Sequence, residues 1–177
     1  MTLTKSALLT LAIAGCVAAA HDARAAVVNY TLVANAPAHC QAFTPGPANT
    51  VRNRVVGSEN VGAAMNVACT FEMVRSSTSS NVSSVTLWFS NNLGGSVNVS
   101  CTLLTGYQGM SGATVLNKSV AVSVGVQNYM SFTASDTSNP ADTDLGNTIV
   151  GVNCTLPQGA VINDTYISWT DENGVGS

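Results

Sequence analysis

One alternating pattern occurs three times in the sequence, as MNVACTF at residues 65–71, VNVSCTL at 97–103 and VGVNCTL at 150–156. In each copy, apolar residues stand two positions before and two positions after the cysteine. Side chains of a β-strand alternate between its two faces, so these residues would share one face with the thiol. The pattern therefore predicts three half-buried strands whose cysteines point into a core.

Other parts of the chain show the same period of two. Alternating apolar runs occur at Val85, Leu87 and Phe89, at Val120, Val122, Val124 and Val126, and at Ile167 and Trp169. Turn-forming residues such as Asn91–Gly95 and Pro157–Gly159 separate these runs. No helical periodicity competes with them. We expect an all-β fold, specifically an antiparallel β-sandwich.

Four cysteines lie beyond the N-terminal segment, and four cysteines allow three pairings. We favour Cys101 with Cys154, because their segments are the most similar copies of the repeated pattern and should lie together. Cys40 precedes an irregular proline-containing segment and would then bind Cys69. The other pairings remain open. Each bridge would contribute about 4 kcal/mol, so both are expected to be structural.

The N-terminus has the features of a secretory signal peptide over residues 1–25. Lys5 supplies the positive charge, an apolar run covers residues 7–20, and Ala23-Arg24-Ala25 fits the cleavage rule. The apolar run is too short to span a bilayer, which takes about 20 residues. The mature part would be a single domain of residues 26–177, secreted into an oxidising periplasmic or extracellular compartment.

A second interpretation exists for the same segment. Ile13-Ala14-Gly15-Cys16 is similar to the processing site of bacterial lipoproteins, in which Cys16 would carry the lipid anchor. The apolar run continues beyond Cys16, whereas lipoproteins usually turn polar there. Soluble export is the favoured prediction, and lipidation is the alternative.

The mature domain carries little charge. Without Lys5, Arg24 and Asp22 it has four basic and eight acidic residues, a net charge of −4. A chain that is mildly acidic and has no basic cluster lacks the electrostatic surface that nucleic acids require. We therefore expect no nucleic-acid partner.

Catalytic motifs are missing from the sequence. His39 is the one histidine of the mature part, no Gly-x-Ser-x-Gly motif occurs, and the cysteines are needed for bridges. Most carboxylates fall in turn-like segments. We predict that the protein is not an enzyme and uses no cofactor, with an extracellular hydrolase as a lesser alternative.

One loop contains several oxygen ligands, at Asp136, Asn139, Asp142 and Asp144. Such a cluster could bind Ca²⁺. The spacing is not that of an EF-hand, and Asp and Asn also favour turns for conformational reasons. A calcium site is thus a weak alternative to an ordinary turn.

Aromatic residues offer a possible ligand surface at Trp88, Tyr107 and Tyr129. Trp88 is out of phase with Leu87 and Phe89, so it should point away from the core. An aromatic side chain on the wet side of a sheet can stack on a sugar or pack in a second interface. Carbohydrate or small-ligand binding is therefore an alternative function.

The order of the cysteine segments resembles a family of small secreted proteobacterial proteins. The matching elements are Cys40, Val67-Ala68-Cys69, Val99-Ser100-Cys101, Cys154-Thr155-Leu156-Pro157 and Tyr166-Ile167-Ser168. The resemblance implies an exported bacterial β-sandwich and implies no particular activity.

The favoured function is a non-enzymatic structural or interaction module at the cell surface or secreted. Strands rich in Ser, Thr and Asn suit association through main-chain hydrogen bonds at sheet edges. Val28, Tyr30 and Leu32 alternate like a strand that could pair with its own sheet or with a neighbouring molecule. Self-association, a cell-surface partner and a glycan partner all follow as candidates.

Overall fold

The computed structural model describes residues 27–43, 49–71, 81–106, 114–139, 141–146 and 150–171. These residues form two antiparallel sheets packed face to face, which confirms the predicted β-sandwich. The six-stranded sheet A consists of β1 (Val28–Asn35), β3 (Val51–Arg54), β4 (Gly57–Asn60), β6 (Asn81–Asn91), β9 (Asn128–Thr133) and β11 (Ala160–Asp171). The five-stranded sheet B consists of β2 (Cys40–Ala42), β5 (Met65–Phe71), β7 (Ser96–Thr105), β8 (Thr114–Ser123) and β10 (Val150–Leu156).

The three copies of the repeated pattern form the centre of sheet B, in the order β2-β5-β10-β7-β8. Their cysteines are almost completely buried, as the alternation predicts. Cys101 lies opposite Cys154 and Cys40 lies opposite Cys69, and both pairs form disulfides. The favoured pairing is confirmed. Both bridges join neighbouring strands of the same sheet.

Sheet A has the order β3-β4-β11-β6-β9, and β1 pairs with the second half of β11. Strand β1 therefore pairs within its own chain, which removes the reason for expecting it to complete a neighbouring molecule's sheet. Its inward residue Tyr30 stacks on Trp169, with ring centroids 5.5 Å apart. Trp169 belongs to the core.

The core lies between the sheets and is built from the inward residues of both. Its largest fully buried side chains are Phe89, Phe132, Leu87, Leu103, Leu145, Leu156, Ile162 and Ile167. A buried amide also joins the sheets: Asn60 of β4 donates from Nδ2 to the carbonyl oxygen of Leu156 in β10, at 2.7 Å. The two layers are therefore connected by polar as well as apolar contacts.

One predicted run ends earlier than expected. Val120 and Val122 face inward, but β8 stops at Ser123, and Val124 and Val126 are about half exposed. Gly125 adopts a φ of 70°, a left-handed conformation that favours glycine and turns the chain towards β9. The turn overrides the alternating pattern, so the end of this prediction is wrong.

Helices are limited in the described residues to two short 3-10 turns, Ala36–Ala38 and Ala134–Asp136. No helix in the described part of the chain is long and apolar enough to cross a membrane. The predicted signal peptide and Cys16 lie outside the described residues.

Candidate functional site

The solvent side of sheet A carries three aromatic side chains that are not part of the core, Trp88, Tyr129 and Tyr166. We call this surface the aromatic face. It consists of Thr31, Val33, Thr86, Trp88, Tyr129, Ser131, Tyr166 and Ser168. These residues come from β1, β11, β6 and β9, which are neighbours in the sheet. None of the eight is charged.

Trp88 and Tyr129 are in contact on the aromatic face, towards its β9 edge. They are direct cross-strand partners on β6 and β9, and their ring centroids are 5.2 Å apart at an interplanar angle of 46°. Trp88 is half-buried, and Tyr129 is 60% exposed. Leu87 on the same strand is fully buried, so Trp88 does point away from the core as predicted. The pair presents a rigid aromatic surface to solvent.

Tyr166 adds a third aromatic ring to this face. It pairs with Thr86 of β6 in the sheet register, so it is a diagonal neighbour of Trp88. Hydrogen bonds from the hydroxyl groups of Thr31 and Ser168 lower the pKa of Tyr166 below its usual value. In the sequence, Tyr166 is adjacent to the apolar Ile167, which is buried, so alternation places Tyr166 on the solvent side of the strand. This signal could have identified it as a candidate together with Trp88.

Hydroxyl groups lie beside the aromatic rings on the same face. Thr86 and Ser131 are hydrogen-bonded at 2.9 Å, and Thr31 and Ser168 at 3.2 Å. These groups can donate and accept hydrogen bonds at the same time. The aromatic face is therefore polar, uncharged and partly apolar.

A pocket of about 460 Å³ lies at the end of the aromatic face. Its lining residues come from the ends of the same strands and the adjoining turns. They are Asn35, Val56, Ser90, Asn91, Asn92, Gly125, Val126, Gln127, Asn163 and Asp164. The lining is dominated by amides and has a single charged residue, Asp164.

A β-bulge shapes one side of the pocket. The pairing of β11 with β6 shifts between Ile162 and Thr165, and this irregularity contains Asn163 and Asp164. Bulges re-aim side chains and are frequent beside functional sites. The Oδ1 atom of Asn163 is buried and has no hydrogen-bond partner among the described residues. An orphaned buried acceptor of this kind is rare in proteins.

The turn between β3 and β4 forms the opposite wall. Asn35 donates to the carbonyl oxygen of Val55 and Asn163 donates to that of Val56, both at 2.8 Å. Gly57 lets this hairpin approach β11, because a Cβ atom there would overlap with the carbonyl oxygen of Ile162. Its φ of 143° also lies in the region that favours glycine.

Two further amides of the lining, Asn91 and Asn92, are held by hydrogen bonds within the protein. Asn91 is buried, accepts a hydrogen bond from the amide N–H of Leu93 at 2.9 Å and donates to the carbonyl oxygen of Gly95. Asn92 donates from Nδ2 to Oε1 of Glu59 at 2.9 Å. Glu59 is in turn ion-paired with Arg54. The pocket is thus formed by side chains that the protein itself holds in place.

The structure brings together two of the three aromatic residues selected from the sequence, Trp88 and Tyr129. Tyr107 lies outside the described residues. His39 packs its ring against Phe71, with centroids 6.3 Å apart, beside the Cys40–Cys69 bridge. It is thus a neighbour of a disulfide.

The residues of the predicted calcium site serve local turn contacts. Asn139 donates to Oδ1 of Asp142 at 2.7 Å, and Asp144 accepts the amide N–H of Gly146 at 2.9 Å. Nowhere in the described ranges do three acidic, histidine or cysteine groups gather as a metal site. Calcium binding stays a prediction, and these contacts favour the alternative of an ordinary turn.

Asp136 has a different partner from the rest of that loop. Its Oδ1 atom lies 2.6 Å from Nζ of Lys118, which also donates to the carbonyl oxygen of Ser131 at 2.6 Å. Burial alone would raise the pKa of Asp136, but the Lys118 ammonium and the N–H of Thr133 outweigh it and lower the pKa. Because Lys118 lies on β8 and Asp136 follows β9, this ion pair joins the edges of the two sheets.

No family model and no curated protein sequence matches the chain, and the resemblance to small secreted proteobacterial proteins stays a prediction. Among solved structures, the chain is similar to a family 11 carbohydrate-binding module from Clostridium thermocellum in complex with a β-1,3-1,4-mixed-linked tetrasaccharide. The identity is 7% and the TM-score 0.37, over 82% of this chain and 88% of that chain.

Two further similar structures are also carbohydrate-binding modules. The C-terminal CBM6 of LamC, a marine laminarinase from Zobellia galactanivorans, is 14% identical with a TM-score of 0.38, over 78% of this chain and 98% of that chain. A CBM4 structure is 11% identical with a TM-score of 0.32, over 82% of this chain and 84% of that chain. At such distances any functional conclusion depends on the aromatic face and the pocket.

Proposed function

We propose that the protein is a non-catalytic carbohydrate-binding module that binds a glycan on its aromatic face. The observation that carries the proposal is the Trp88–Tyr129 pair, which stands on the solvent side of sheet A among hydroxyl groups. It replaces strand-edge association as the favoured function, since β1 pairs inside its own sheet.

The aromatic rings suit the apolar faces of sugar rings. A pyranose exposes C–H groups on its ring faces and hydroxyl groups at its edges. Aromatic side chains offer a large, rigid apolar surface, and each can bury about 150–250 Å². Tyr129 and the flanking Tyr166 provide such surface on either side of Trp88.

The polar part of the face suits the edges of the same ligand. The Thr86–Ser131 and Thr31–Ser168 pairs present hydroxyl groups beside the rings. A surface without charged groups favours an uncharged, hydroxyl-rich ligand over a phosphate or a basic peptide. Among biological polymers, glycans fit this combination.

The two disulfides fit a secreted or extracellular setting, where glycans are abundant and thiols oxidise. Export through the segment 1–25, with Cys16 lipidation as the alternative, belongs to this proposal. An extracellular hydrolase remains the lesser alternative.

The test is binding of the oxidised domain to an array of immobilised glycans. We expect binding to at least one class, and Trp88→Ala should weaken it at least about tenfold, because the central stacking surface is lost. Trp88→Phe should retain part of the affinity. Val115→Ala is the matched control, since Val115 is a 54% exposed apolar residue on the solvent side of sheet B.

Two outcomes contradict the proposal. One is the lack of binding to any glycan on the array by a correctly oxidised domain. The other is binding that Trp88→Ala leaves unchanged while circular dichroism shows both proteins to be folded.

A further inference from the structure

We infer that the pocket at the end of the aromatic face is a sugar subsite that selects uncharged or amino sugars and rejects acidic ones. The inference rests on the proposed function and names the ligand class more narrowly. It depends on the position of the pocket, its size and the acceptor groups and charge of its lining.

The pocket continues the aromatic face along each strand. Ser90 stands two residues after Trp88 on β6, and Asp164 stands two residues before Tyr166 on β11. Residues two apart in a strand point to the same side. On β1, Asn35 follows Val33 by the same spacing, and Gln127 immediately precedes β9. A glycan that stacks on the rings can therefore extend into the pocket.

The dimensions suit a ligand of one or two sugar units. A volume of about 460 Å³ falls in the range of roughly 300–1,000 Å³ that is typical of small-molecule sites. Val56 and Val126, both more than half exposed, supply apolar surface within the lining. Apolar surface beside a polar floor matches the two kinds of surface that a sugar ring presents.

Two amides of the pocket use an Nδ2 donor within the protein. Asn35 and Asn92 each donate their Nδ2 group to the protein, to the carbonyl oxygen of Val55 and to Glu59. Their Oδ1 atoms remain as acceptors on exposed side chains. Asp164 adds a carboxylate, which is acceptor-only when ionised. Sugar hydroxyl and ammonium groups can donate hydrogen bonds to these oxygens.

The same arrangement disfavours acidic sugars. The lining contains the carboxylate of Asp164 and no lysine or arginine. A uronic acid or a sulfated sugar would place a second negative charge near Asp164 with no cation to bind it. Two like charges 4 Å apart repel by about 1 kcal/mol even in water, which is about a fivefold loss in affinity.

The experiment compares matched glycan pairs on one array, each pair consisting of a neutral sugar and its carboxylated or sulfated form. We expect the wild-type protein to prefer the neutral form at least about fivefold. Asp164→Asn should bring this ratio close to one by improving acidic binding. Asp142→Asn is the matched control, because it removes an exposed carboxylate outside the pocket and should leave the ratio unchanged.

The outcomes separate this inference from the proposed function. If Trp88→Ala abolishes binding but Asp164→Asn leaves the ratio unchanged, the aromatic face binds glycans and the subsite is wrong. A wild-type preference for acidic sugars also overturns the subsite alone. If the wild-type protein binds no glycan, both proposals fall together.

Discussion

The solvent sides of the two sheets are built on the same alternating strands and differ in chemistry. The outer side of sheet A has three aromatic rings and leads into a pocket. The outer side of sheet B carries small polar residues that bind one another across strands. They form the pairs Ser100–Ser119 at 2.7 Å, Thr102–Asn117 at 2.6 Å and Asn66–Thr155 at 2.8 Å.

Under the proposed function, the two sides of one architecture have different roles. On sheet B, as on sheet A, side-chain hydroxyl groups pair across strands, so these pairs alone do not distinguish the two sides. Sheet A differs in its exposed aromatic rings, which can gain contacts from a ligand. The disulfides are also divided unequally, since both lie in sheet B. If the proposed function is correct, sheet B contributes mainly to stability and sheet A to recognition.

The largest expected effect is on stability. It comes from removing a disulfide of sheet B and tests whether the two sheets have separate roles. Replacing Cys101 and Cys154 together by alanine should lower the free energy of unfolding by about 2–5 kcal/mol, because the unfolded chain gains freedom. Urea unfolding measures the loss. While the variant remains folded, its glycan binding should equal that of the wild type. A loss of binding by the folded variant would show that the two sheets do not have separate roles.

A smaller loss of stability is expected at Gly57, where the β3–β4 hairpin approaches β11 beside the pocket. Gly57→Ala should lower the free energy of unfolding by about 1–3 kcal/mol, because the added Cβ meets the backbone of Ile162 and Asn163 at an unfavourable φ. It should also weaken glycan binding, since the wall held by Asn163 moves. Gly94→Ala is the control, as its Cβ would meet nothing within 4 Å. Equal effects of both substitutions would contradict the close approach.

The ion pair between the sheet edges predicts an acid-sensitive component of stability. The folded-state pKa of Asp136 is lowered, so its contribution is present above the unfolded pKa near 3.8 and disappears as the pH falls through the folded pKa. The pair is partly exposed, so the contribution should be below about 1 kcal/mol. Comparing urea unfolding of the wild type and Asp136→Asn between pH 2 and 7 measures it. A difference that stays constant over this range would refute the assignment.

The smallest effect is expected on the outer side of sheet B. Replacing Ser100 and Ser119 together by alanine removes both partners of one hydrogen bond, so the free energy of unfolding should change by less than about 0.5 kcal/mol. Glycan binding should be unchanged on the same array. A tenfold loss of binding would indicate that the glycan binds on sheet B and not on sheet A.

Much of the fold was predictable from local pattern, because period-two alternation decides which side of a strand is buried. It correctly predicted the inward thiols of β5, β7 and β10 and the outward position of Trp88. The similarity of the segments around Cys101 and Cys154 was enough to favour their pairing. Alternation failed at Val124 and Val126, where a left-handed glycine turn changes the direction of the chain.

The candidate site could be predicted only in part. Trp88 and Tyr129 could be selected as available aromatics, but their contact depends on β6 and β9 being neighbours, which no local pattern states. Tyr166 joins them because β11 lies on the other side of β6. The pocket requires a bulge in β11 and the hairpin that Gly57 brings against it, two features that arise from pairing between distant segments.

The sequence by itself determined the class of fold and the buried side of each main strand, and it favoured the disulfide pairing that the structure confirms. These properties follow from short-range alternation and from burial of apolar side chains. Only the tertiary structure decided which outward residues become neighbours, and thus where rings, hydroxyl groups and acceptors meet. The physical reason is that alternation assigns each residue to a face, whereas a binding surface also depends on strand order, register and the turns that close its ends.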